Sequence, residues 1–178
     1  MRTGTLAEKM GTTSHISDLP VKTRRLGLDA EGLERLAIQR GCDYYHDGEP
    51  LPASSLSERQ FSNEELAIAL LHPALRGRSQ TLRLGAAMLG AEGNDPKEIL
   101  RLARHERCEP VVRYIAEAGL KFEPDVPFWR ELLSGLASVT LPPASALPHP
   151  TRFIEMTGID RGHVGLRTRW IRPRQRAA

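Results

Sequence analysis

Two prolines between Asp95 and Gly119 constrain this chain more than any other feature, because each can stand only at the start of a helix. Asp95 is a natural N-cap, Pro96 suits the first helical position and Glu98 the third. Orphan backbone donors are met and the first helical dihedral is preset. Pro110 cannot continue that helix without losing a backbone hydrogen bond, but it can open another. Ile99, Leu102 and Ala103 form one apolar face, with Leu100 at its edge. Val111, Val112, Ile115 and Ala116 form a second, which Gly119 is expected to end. The stretch predicts two short helices with a sharp break between them.

The same punctuation recurs upstream. Asp29 as N-cap and Gly41 as C′ residue bracket a helix over 29–40, with a narrow face of Leu33, Leu36 and Ala37. Ser62 and Glu65 form a capping box, and Phe61 with Leu66 a hydrophobic staple. Leu66, Ala67, Leu70 and Leu71 then run until Pro73 stops the helix. Residues 79–89 leave few polar positions and predict the most buried helix. A last helix is expected from about Val126 to Ala137, with Trp129 closing the core. Helix starts at Ser62, Asp95 and Asp125 are spaced by about 30 residues, near the period of stacked helix pairs.

Aromatic residues make up 5% of the chain, so its core must be built from Leu, Ala, Ile and Val, a composition that favours helices. Residues 1–27 are rich in Thr, Ser, Gly and charge without a sustained period, and read as a flexible arm. Four prolines between 142 and 150 mark a stiff linker. Beyond it the period changes to two: Val164, Leu166, Thr168 and Trp170 alternate with Gly165, Arg167, Arg169 and Ile171, as in a strand. A hairpin with Phe153–Met156 would pair it. The expected fold is mainly α, a compact stack of five or six short helices, bundle or solenoid-like, with a basic β-hairpin-like appendage. Its parts are an arm (1–27), a helical domain (28–138), a Pro-rich linker (139–150) and the appendage (151–178).

No apolar run suggests a secretory signal or a membrane span, and two cysteines make no disulfide framework. A cytoplasmic protein without membrane contact is expected. Charge is unevenly spread. Residues 151–178 hold seven arginines against Glu155 and Asp160, a net +5, whereas the first 150 residues hold 18 basic and 20 acidic side chains. A basic tail is a footprint of nucleic acid or an acidic partner, and equally of a solubilising tail.

Four functional readings follow. The leading one is a non-enzymatic helical interaction or regulatory module with a protein partner, since stacked helices supply contact area rather than reactive groups. The alternative is a DNA-binding regulator. The helix pair over 99–119 resembles a helix-turn-helix in outline, with Arg104, Arg113 and Tyr114 on it and Arg167, Arg169 and Arg172 as a wing on phosphates. Against it stand Glu106, Glu109 and Glu117, the proline at 110 and a turn with Arg107 where glycine is usual. A zinc reading takes Cys42 with His46 and His105 with Cys108, two thiolates and two imidazoles. A catalytic reading would make Cys108 a nucleophile beside His105, but no orienting third residue, phosphate-binding glycine loop or dense carboxylate pair accompanies it. No catalytic residue is assigned.

Overall fold

A computed structural model describes residues 18–46, 48–49, 51–52, 55–75, 77–143, 146–159 and 166–174. Its described residues hold seven α-helices: α1 (Asp18–Arg25), α2 (Ala30–Gln39), α3 (Asn63–Leu70), α4 (Ser79–Leu89), α5 (Pro96–His105), α6 (Glu109–Phe122) and α7 (Pro127–Gly135). Two antiparallel strands follow, β1 (Ile154–Ile159) and β2 (Leu166–Trp170). The expected mainly helical class with a small C-terminal hairpin is therefore present.

Local chemistry accounts for most helix starts. The Asp29 side chain accepts from the Gly32 backbone N–H at α2. Ser62 and Glu65 make the full reciprocal capping box at α3, with Phe61 and Leu66 both buried beside it. Asp95 caps α5 through Lys97 N–H, with Pro96 in the first turn. Gly41 takes φ of +105°, the left-handed conformation expected after α2.

Three expectations shift. Helix α1 lies in the stretch read as a flexible arm. At its start the Glu106 carboxylate, 88 residues away, accepts from Asp18 N–H (3.1 Å) and, 87 away, from Leu19 N–H (3.0 Å). Helix α6 does not end at Gly119 but runs on to Phe122. Gly119 serves close approach instead, because a Cβ there would stand 2.3 Å from the Trp129 ring. Helix α7 starts where expected, with Val126 as an N-cap that offers no side-chain bond, but ends at Gly135 and not at Ala137.

Helices pack on neighbours one or two places along the chain: α2 on α3 and α4, α3 on α4 and α5, α5 on α6 and α7. The core is continuous through all of them. Its aromatic end is assembled from distant residues. Trp129 and Trp170 pack with ring centroids 4.9 Å apart, and Phe153 lies 5.5 Å from Trp170. All three are buried. Trp170 Nε1–H donates to the Ala86 carbonyl of α4 (3.1 Å), satisfying the one polar atom that its burial strands. The hairpin pairs Ile154 with Trp170 and Glu155 with Arg169, with an irregularity between Met156 and Gly158. It is thereby tied into the helical body. The Pro-rich segment also lies on that body, through Arg113 to Val139 O and Tyr114 to Pro148 O.

Candidate functional site

The helix pair has much of the expected local shape. Three residues, Glu106–Cys108, join α5 to α6, and Arg107 takes φ of +57°, the conformation that glycine usually supplies in such turns. What differs is access to α6. None of its residues from Glu109 to Leu120 is fully exposed. Arg113 spans out of it: Nη1 donates to Ala137 O (3.0 Å) and to Val139 O, and Nε donates to Glu117 Oε1 (2.9 Å). The Tyr114 hydroxyl donates to Pro148 O (2.9 Å). The carbonyls of Ala137, Val139 and Pro148 thus hold Arg113 and Tyr114, two side chains that the helix-turn-helix reading offers to nucleic acid.

The remaining arginines of that reading are also engaged. Arg104 donates to Gly135 O at the end of α7 (2.9 Å), where four carbonyls lack helical partners. Arg169 holds Glu155 Oε1 across the strands, through Nε (2.9 Å) and Nη2 (2.5 Å). Arg172 forms a fork on Glu123, Nη1 to Oε1 (2.7 Å) and Nη2 to Oε2 (2.5 Å). The side chain of Arg167 lies outside the described residues. The described arginines of this set thus bond to carbonyls and carboxylates of the chain.

The four candidate metal ligands are not brought together. Among the described residues no group of three or more His, Cys, Asp or Glu is placed to hold a metal ion. Cys42 is fully buried, and burial, reinforced by Asp43, pushes its thiol up to about 12, so it stays protonated. Cys108 is also buried, its thiol facing Glu106 O (3.5 Å) and Ile68 O (3.9 Å). His46 Nε2 is 3.1 Å from Glu49 O, and His105 Nε2 is 3.0 Å from Asp18 Oδ2. Spacing along the chain paired each cysteine with a histidine, but burial turned the thiols inward and left the imidazoles on other partners.

Among the described residues three surface depressions stand out. The widest, about 1120 Å³, lies between the end of α2, the loop 90–94 and the exit of β2. Its cations Arg40, Arg169, Arg172 and Arg174 are balanced by bonds within the protein, Arg40 to Asn63 Oδ1 and Phe61 O, Arg174 to Asp43 (3.5 Å). A second, about 330 Å³, is an apolar groove between α1, α2 and the short turn Pro73–Leu75, lined by Leu19, Pro20, Leu28, Leu33, Ala69 and Leu75. Arg24 lines its edge and Arg25 follows, both exposed, and neither carries an ion pair to a described residue. The third, about 430 Å³, lies where α4 begins beside residues 146–152.

The groove was not visible in the sequence, because α1 was read as part of an arm. Its one usable signal was Leu19 and Thr23, four residues apart and both buried on one face of α1. Glu106 carried no signal at all. No family model, curated protein or solved structure matches the chain.

Proposed function

We propose that this protein is a non-enzymatic interaction module whose groove between α1, α2 and the Pro73–Leu75 turn receives an amphipathic helix of a protein partner. The apolar groove carries the reading. Its floor of leucines and alanine suits two or three apolar anchors at helical spacing. The cations at the end of α1 suit a partner with acidic residues flanking those anchors.

Selection of helix-forming peptides on the immobilised full-length chain tests this. Selected peptides should carry apolar residues at i, i+3, i+4 and i+7 with Asp or Glu beside them, and should bind less tightly as salt rises. Ala74→Glu, an exposed change at the groove's edge, should weaken them at least 10-fold and leave the fold intact. Peptides that bind this variant and the parent alike would remove the groove from the reading. Saturable binding of duplex DNA at low salt, with no peptide selected, would overturn the module in favour of nucleic-acid contact.

A further inference from the structure

Arg83 differs from the other half-buried arginines among the described residues. Arg40, Arg113 and Arg172 each use two or more of their guanidinium donors. Arg83 is half-buried on α4, and its Nε is wholly shielded from solvent without a hydrogen-bond partner among the described residues. No ion pair to a described carboxylate offsets it. A shielded donor left in that state is costly, and because solvent does not reach Nε, a ligand could meet only the Nη end of this guanidinium.

Arg83 lines the third cavity, of about 430 Å³. Ser79 lies one turn before Arg83 on α4, and Leu82, next to Arg83 in the chain, also lines the cavity. Arg152 and His149 line the opposite side. His149 Nδ1 lies 2.9 Å from Thr151 Oγ1 and accepts from Thr151 N–H (3.4 Å), so Nε2 is the ring nitrogen not taken up by Thr151. Among the described residues no Asp or Glu lines this cavity. The carboxylate near the start of α4, Glu34, is held by Arg78 Nε (3.2 Å) and Thr81, and Thr81 lies roughly 200° around the helix from Ser79. Helix α4 has no side-chain N-cap and no acidic residue in its first turn, so its first N–H groups add to the positive field.

We infer that this cavity binds a small phosphate monoester, with its phosphate held by Arg83, Arg152 and His149 near the start of α4. A guanidinium fork matches phosphate oxygens, and an imidazole N–H supplies a further donor. The volume is of the size of small-ligand sites and exceeds what a bare phosphate fills. Leu82, Leu147 and Pro148 give the organic part an apolar wall.

Calorimetric titration of the full-length protein with phenyl phosphate and with inorganic phosphate, at matched ionic strength in chloride, tests the site. Phenyl phosphate should bind saturably and at least 5-fold tighter than inorganic phosphate. Arg83→Met should weaken it 10-fold or more while raising the melting temperature of the free protein, since it removes an unsatisfied buried donor. Arg152→Gln, at an exposed position, should also weaken binding. Equal binding of both probes would show a site for the free anion and would overturn the monoester. Absence of saturable binding by the parent chain, or binding unchanged in both variants, would overturn the site itself. The peptide-binding reading stands or falls separately, because Arg83 does not line the groove beside α1.

Discussion

The indole of Trp170 rests on the backbone of Gly90: a β-carbon added to Gly90 would stand 2.6 Å from Trp170 Cδ1 and 2.7 Å from Nε1. Gly90 is the C-cap of α4 with φ of −82°, so alanine is acceptable to the backbone there and only the ring forbids it. Gly90→Ala should therefore push the C-terminal strand off the core. The expected cost is about 2 kcal/mol, or roughly 5 °C in melting temperature. Gly77→Ala is the control, since nothing lies within 4 Å of its added carbon. Thermal unfolding of both variants checks the pair. A Gly90→Ala protein as stable as the parent would mean that Trp170 does not pack as described.

Glu123 gathers four donors: Trp129 Nε1–H (3.1 Å), Trp170 N–H (3.2 Å) and the two Arg172 nitrogens. Burial pushes its carboxyl up, but the bonds from Arg172 and Trp129 outweigh burial and hold it below the ordinary value of 4.5. A lowered folded value stabilises the fold above the unfolded pKa, and that contribution is lost as pH falls from about 4.5 through the folded value. Glu123→Gln should cost about 2 kcal/mol at pH 7 and flatten this part of the acid limb. Urea unfolding of parent and variant between pH 7 and pH 3 measures both effects. Equal slopes would remove Glu123 from the acid response.

Glu106 is the anchor of α1. Its side chain is fully buried, accepts from two backbone N–H groups of α1 and lies 3.8 Å from His72 Nε2. Glu106→Ala should loosen α1 before it affects the rest, with a cost of about 1–3 kcal/mol for the donors left unsatisfied. Amide hydrogen exchange would show faster exchange of Leu19 and the first turn of α1 with little change in α6. Because α1 forms one wall of the apolar groove, peptides selected on the parent should bind this variant less tightly. Uniform acceleration across all helices would instead make Glu106 a general core residue.

Both cysteines are buried, and Cys42 is held protonated by a value near 12. Thiol reagents attack thiolates, so neither residue should react with an aromatic disulfide at pH 8 in the folded protein. Two equivalents should react once the chain is unfolded in guanidinium. Rapid labelling of Cys108 in the native state would reopen a chemical role for it beside His105.

The legible part of the fold follows from interactions with fixed sequence offsets. The Ser62–Glu65 box, the Asp29 and Asp95 caps and the Pro96 and Pro110 starts each need a partner within three or four residues, so they can be read residue by residue. The same signals explain where reading stopped. Gly119 looks like a terminator locally, yet the indole of Trp129 sets its use. Arg104, Arg113 and Tyr114 look like an exposed polar set, yet their acceptors are carbonyls 24 to 34 residues downstream.

By itself the sequence determined the helical class, most of the helix starts and the two-residue period of the C-terminal strand, because caps, prolines and side-chain periodicity act at short range. Tertiary structure alone decided which polar groups are occupied and which remain open. Glu106 meets α1 across 88 residues, Glu123 meets Arg172 across 49, and Arg83 is left in a cavity that residues 146–152 close. Those pairings depend on which helix faces come together in the core, and no spacing along the chain encodes that choice. For this reason the apolar groove and the Arg83 cavity are features of the folded molecule and of no single motif.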